Sequence, residues 1–310
     1  MNGQSSPQRA GDAADRLTVA VRAYPHTQPL LDGSVPVAGC AVEFADVEPI
    51  HRAFAPMVRE LRYDLSELAI ATLLQAVEAG VPVAALPVVL HGNFHHRSIS
   101  AWGEQQLRPE DLPGRRVGVR AYSQTTALWV RGVLSDTYGV RASDVTWVTS
   151  EGAHVESYAE PANVERTPRK LVDALRAGEV DAVVMGARSA DHVPGLQPLI
   201  PDWKQQQEQF LQHRGWVPIN HLAVVRRDLL ESRPDLIQSV YRAFCASIDA
   251  ARPAVPTGTT RELVIQHGIT DTLLSTLQTA IDYAREQQVI RTDLDAATLF
   301  KDFEKHVGTD

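Results

Sequence analysis

One stretch of this chain gathers imidazole and guanidinium groups, His91-Gly-Asn93-Phe94-His95-His96-Arg97, and a further histidine, His221, stands just before an apolar strand. Histidine moves protons near neutral pH, and arginine clamps carboxylates through parallel N–H donors. The spacing His-x3-His-His would suit a metal only on a helix, where positions i and i+4 share a face. This segment reads as extended, with alternate residues facing opposite ways, so no metal ligands are expected. A second candidate lies at Tyr122-Ser123-Gln124-Thr125-Thr126. A short strand, Arg116 to Arg120, precedes it, and a helix follows to Tyr138 and stops at Gly139. Ser123 is the expected N-cap, and Ala127, Val130, Leu134 and Tyr138 form the apolar stripe. Free backbone N–H groups beside hydroxyl and amide side chains make that corner suited to a carboxylate or phosphate. Arg22 and Arg188 each follow a strand end, where open α/β sheets hold their ligands.

Composition narrows the partners. A formal charge of −8 across 310 residues, with no basic run, excludes a nucleic-acid surface as the main partner. No apolar run approaches the ~18 residues of a membrane span. Met1 to Arg16 reads as a disordered leader without the apolar centre of a secretory signal, so the expectation is a soluble, cytoplasmic protein. Cys40 and Cys245 both lie in apolar contexts and read as buried thiols. Self-association into a homo-oligomer is left open.

The elements that must position these groups alternate strand and helix through the first two thirds of the chain, which defines an α/β class. Strands are expected at Leu17–Val21, Ala41–Val47, Val81–Leu90, Val145–Thr149, Val180–Met185 and Leu222–Arg226. Helices are expected at Glu48–Arg59 and at Glu67–Ala79, the latter capped by Ser66, whose hydroxyl could alternatively bind an anion. The tail after Arg226 is helical. The chain leaves a first lobe near residue 100, builds a second, and returns near residue 220. Lobe one is therefore expected to comprise residues 17–100 and 220–310, and lobe two residues 101–219, with a ligand cleft between them.

Several blocks together resemble the 4,5-dihydroxyphthalate decarboxylase family. They are Asp111-Leu-Pro-Gly-Arg-Arg-Val-Gly-Val followed by Tyr122, Thr125, Trp129, Arg131-Gly132, Tyr138-Gly139-Val140 and Trp147; Tyr63-Asp64-x-Ser66-Glu67; Phe94-x-His96-x-x-Ile99; Trp216-Val-Pro218-Ile-x-His221; and Arg226-Arg227-Asp228. The chain departs from the family pattern at His95 and Arg97 (Phe-Arg-His-Ser is expected around His96), at Asn220 for methionine, and at Arg120 where proline is common. The resemblance implies a two-lobed, type 2 periplasmic-binding-protein-like fold with a helical C-terminal tail. It also implies loss of CO2 from a hydroxylated aromatic acid, 4,5-dihydroxyphthalate going to protocatechuate.

In that substrate each hydroxyl is para to one carboxylate, so the ring supplies its own electron source and no organic cofactor is required. A divalent metal on the catechol oxygens stays open. The protein must clamp the carboxylates, polarise a phenol and deliver a proton to carbon. The expected proton carriers are His96 and His221, with Glu67 orienting a histidine or acting as base. The expected substrate contacts are Arg22, Arg97 and Arg188, His26 and His95, Ser66, and the corner Tyr122, Ser123, Gln124, Thr125 and Thr126. The alternative is a non-catalytic solute-binding or sensor protein for an aromatic acid, built on the same two lobes.

Overall fold

A computed structural model describes residues 15–308, and the leader expected at residues 1–16 lies almost wholly outside them. The strands are β1 Asp15–Ala20, β2 Cys40–Phe44, β3 Leu65–Ala69, β4 Val83–Gly92, β5 Ile99–Trp102, β6 Arg116–Val119, β7 Thr146–Thr149, β8 Val164–Arg166, β9 Ala182–Val184, β10 Leu196–Pro198 and β11 Ile219–Arg226. They form two sheets, ordered β2-β1-β3-β11-β4 and β10-β5-β9-β6-β7-β8. In the first, β1 runs parallel to β2 and β3, whereas the returning β11 is antiparallel to β3 and β4. In the second, β6 to β9 pair in parallel and β5 is antiparallel to β9 and β10.

Both faces of the first sheet are covered, which explains why β4 reads as a nearly continuous apolar run rather than an alternating one. Helix Pro234–Ala251 lays Ile237, Val240, Phe244 and Ile248 against Leu17, Val19, Leu86, Val88 and Leu90. On the other face, a single apolar cluster runs from Phe54, Leu68 and Leu73 through Val117, Trp129 and Trp147 of the second sheet's layer to Leu277 and Ile281 of helix Asp271–Glu286. Polar ties follow the same path between the sheets. Helix Ile70–Glu78 donates from the Ala71 N–H to Thr125 Oγ1 (3.2 Å) and from Gln75 Nε2 to the Val289 carbonyl (3.1 Å). Thr72 Oγ1 and His154 Nδ1 share a hydrogen bond of 2.8 Å. Gln287, two residues before Val289, accepts from Tyr122 O–H (2.7 Å) and Arg131 Nε (2.6 Å), and its amide donates to the Leu128 carbonyl.

Four local expectations are corrected. The helix expected from Glu67 starts at Ile70, and Ser66 is not its cap, because residues 65–69 form a central strand; every residue of β3 is buried, and pairing on both edges overrides local propensity. The helix expected from Glu48 begins as one 3-10 turn, Ile50–Ala53, followed by Phe54–Glu60. The stretch after His91 is not extended throughout, since Ser98 N–H closes a turn on the His95 carbonyl (2.8 Å). The cysteines are half-buried rather than buried, and no disulfide joins them.

Helix Thr125–Tyr138 contains Gly132 at its crossing with helix Asp271–Glu286. A Cβ there would lie 2.1 Å from Tyr283 Cε2 and 2.4 Å from Cδ2. Alanine in an exposed helix interior gains about 1 kcal/mol over glycine. Here Tyr283 is buried, its ring edge-on to Trp129 and its hydroxyl on Asp136, so it has nowhere to retreat. Gly132→Ala is therefore expected to destabilise the fold by about 1–3 kcal/mol, read as a lowered midpoint in chemical denaturation.

Candidate active site

The central feature is a row of side chains across three neighbouring strands. His221 on β11 stands opposite Ala69 of β3 and His91 of β4. Glu67, two residues before Ala69, shares its face of β3 and becomes the diagonal neighbour of His221. Glu67 is completely buried. Its Oε1 accepts from Tyr24 O–H (2.8 Å) and lies 2.5 Å from His221 Nδ1, while Oε2 accepts from the Arg22 backbone N–H (3.1 Å). A carboxylate that only accepts requires the proton on Nδ1, which leaves His221 Nε2 for chemistry. The loop carrying Arg22 and Tyr24 is fixed by Thr27. Its hydroxyl accepts from Tyr24 N–H (2.8 Å) and donates to the Arg22 carbonyl (2.7 Å).

His221 borders a cavity of about 210 Å³ between the two sheets. Arg22, His91 and His221 form its first-sheet wall, with His51 and Phe54 from the turn after Pro49. Ser123, Gln124, Thr125 and Thr126 line the opposite side with Arg120 and His154. Phe54 meets the rings of both His221 and His154 edge-on, at 5.1 and 5.8 Å. Burial drives His91 down to about 3 and His154 down to about 4, with neighbouring positive charge reinforcing both shifts, so these rings are neutral hydrogen-bonding groups at pH 7. Arg22, Arg120 (itself paired with Glu151 at 3.1 Å) and the start of a 14-residue helix place donors and partial positive charge on the cavity wall. Gln124, not Ser123, occupies the N-cap position, without a side-chain cap, which leaves the hydroxyl of Ser123 to the cavity rim.

The remaining candidates separate from this cavity. His95 is buried on Asn220 (Nε2 to Oδ1, 3.0 Å), and His96 packs on Phe94 and Phe210 beside a different depression. His96 thus stands apart from Glu67 and His221, because the turn at residues 95–98 directs it onto the Phe94 and Phe210 rings, where it is buried. Ser66, on the opposite face of β3, donates to the Glu67 carbonyl (2.7 Å) and borders neither cavity. Tyr122 is a core residue whose hydroxyl is spent on Gln287. His26, Arg97 and Arg188 line a second, larger cavity that adjoins the first.

Sequence reasoning missed His51, His154 and Thr72 as lining residues, and it noted His91 and Arg120 without assigning either a role. The strand-end rule that selected Arg22 would also have found His91 and Arg120, which sit at the ends of β4 and β6. His154, in an irregular segment, carries no such signal. Among the described residues no group of three or more His, Cys, Asp or Glu side chains is arranged to hold a metal ion, and no helix is long and apolar enough to cross a membrane.

Two lobes with a ligand-sized cleft, a returning antiparallel strand and a helical tail define a type 2 periplasmic-binding-protein-like fold. The periplasmic aliphatic sulphonate binding protein SsuA from Escherichia coli superposes with a TM-score of 0.57 at 15% identity, covering 92% of this chain and 96% of that one. No family model matches the chain. The sequence is 30% identical over 250 residues to a 4,5-dihydroxyphthalate decarboxylase of Comamonas testosteroni, covering 74% of this chain and 73% of the relative. It is 35% identical over 179 residues to the Pseudomonas putida protein of that name, covering 54% and 69%. The chain belongs to the 4,5-dihydroxyphthalate decarboxylase family.

Proposed function

We propose that this protein decarboxylates 4,5-dihydroxyphthalate to protocatechuate in the cavity above Glu67. The observation that carries the reading is the Glu67–His221 pair facing a cavity with two arginines. Family membership supplies the substrate; the pair supplies a means of moving a proton. Arg22 and Arg120 hold the two carboxylates, with the Ser123–Thr126 corner beside them. The neutral rings of His91 and His154 are suited to accept a hydrogen bond from a ring hydroxyl, which raises electron density at the carbon para to it. Protonated His221 delivers its Nε2 proton to that carbon while Glu67 faces the imidazolium with a full negative charge. The bond to the carboxylate then breaks, its electrons restore the aromatic ring, and CO2 leaves.

The direct test is incubation of the pure protein with 4,5-dihydroxyphthalate while following CO2 and protocatechuate. Absence of turnover with this or any hydroxylated benzoate, with and without divalent metal, removes the proposal; tight binding without product would instead indicate a receptor. Arg120→Gln removes a charge-assisted contact worth about 1.5–3 kcal/mol. It is expected to raise KM by about 10- to 100-fold with a smaller change in kcat, read from initial rates across substrate concentration.

A further inference from the structure

The second cavity, of about 570 Å³, meets the first at Arg22 and His91. Its own cations are Arg97, Arg188 and Arg261, and no carboxylate is among its lining residues. Arg97 is paired with Asp191 and lies 5.1 Å over the Trp203 ring. Arg188 and Arg261 are exposed and make no ion pair among the described residues. Three further guanidiniums beside Arg22, on a chain of net charge −8, are a local reversal of sign that exposure alone does not explain. The walls also carry Phe94 and Trp203, flat apolar surfaces next to the charges. His26 lines the same cavity. It is 3% exposed, stacks under Tyr24 at 5.0 Å, and donates from Nε2 to the Leu90 carbonyl (3.0 Å), while its Nδ1 is buried without a partner among the described residues. Burial holds this ring down at about 4, so Nδ1 is a lone-pair acceptor facing no donor of the protein.

We infer that this compartment is a separate binding site for one aromatic carboxylate, held by Arg188 and Arg261 through its carboxylate and by Trp203 and Phe94 through its ring. One molecule then occupies each compartment, and the two sites differ in the arginines they depend on. The inference concerns binding only and holds whether or not the first cavity performs the reaction proposed above.

Phthalate is the probe, because without ring hydroxyls it lacks the electron source for losing CO2. Calorimetric titration of the full chain is expected to give two molecules bound per chain. The double replacement Arg188→Gln with Arg261→Gln is expected to reduce this to one, the weakened equivalent losing at least about tenfold in affinity. Arg120→Gln should instead weaken the other equivalent. A single molecule bound by the wild type and unaffected by the double replacement overturns the inference. So does a single molecule weakened alike by Arg120→Gln and by the double replacement, the result for one ligand spanning both cavities. Loss of turnover with two-site binding retained would leave this inference standing and remove the catalytic one.

Discussion

Replacing His221 by alanine is expected to lower kcat by about 100- to 10,000-fold, the range general acid–base groups contribute, with KM changed by less than about tenfold. One carboxylate serves three donors here. Glu67 Oε1 takes both Tyr24 O–H and His221 Nδ1, and Oε2 takes the Arg22 backbone N–H. Glu67→Gln keeps the shape but not the acceptors. If its amide nitrogen faces Arg22, two N–H groups meet in a fully buried place. If it faces His221, the imidazole must turn its lone pair to the amide and carry the proton on Nε2 instead. Either arrangement upsets the orientation of His221, so a kcat loss of similar order is expected. Tyr24→Phe removes one neutral donor and leaves the His221 bond, so it should cost no more than about tenfold. Steady-state kinetics of the three variants would decide the matter. A rise in KM at unchanged kcat for His221→Ala would make that residue a binding group and end its assignment as proton donor.

Acid should unfold this protein early. Burial depresses His26, His95, His96 and His154 to about 4 and His91 to about 3, all from an ordinary value near 6.5. Between those values the unfolded chain binds protons that the folded chain refuses. The stability that these neutral rings contribute is therefore fully present above pH 6.5 and is lost as pH falls towards 4. Each proton contributes a slope of about 1.4 kcal/mol per pH unit, and unfolding in this window is expected to take up about five. Denaturant midpoints measured at pH 8, 6 and 5 would test this. A slope equivalent to one proton or fewer would mean that the histidines open to water without global unfolding.

The sequence made the alternation of strands and helices legible, and with it the two-lobed α/β class, because apolar runs such as Val83–Leu90 and periodic helices such as Asp271–Glu286 carry their own signals. It also picked out Glu67 and His221, through family blocks rather than local pattern. Nothing local says that they meet. Their contact depends on β11 returning between β3 and β4 in a register that places His221 opposite Ala69, a pairing across more than 150 residues of chain. His96 misled for the converse reason, since its block matches the family while a turn at residues 95–98 carries it away from Glu67 and His221 and buries it against Phe94 and Phe210. Arg120, noted as a departure from the family pattern, lies on the cavity wall. That departure adds a guanidinium to the cavity wall rather than changing the core.

The ties between helix Ile70–Glu78 and the second lobe also decide where traffic can pass. Two-lobed binding proteins usually admit their ligand by rotating about a hinge. Here such a rotation would strip Ala71 from Thr125 and Thr72 from His154, and each orphaned buried group costs about 1–3 kcal/mol. That side of the cleft is a latched wall. On the opposite side, where exposed Arg188 and Arg261 stand, a tie between the lobes is the partly exposed Arg97–Asp191 pair, which costs less to break and makes this the less costly doorway. Anything bound there would stand in the passage to the inner cavity, so the order in which molecules come and go would be set by a queue rather than by closure of the lobes.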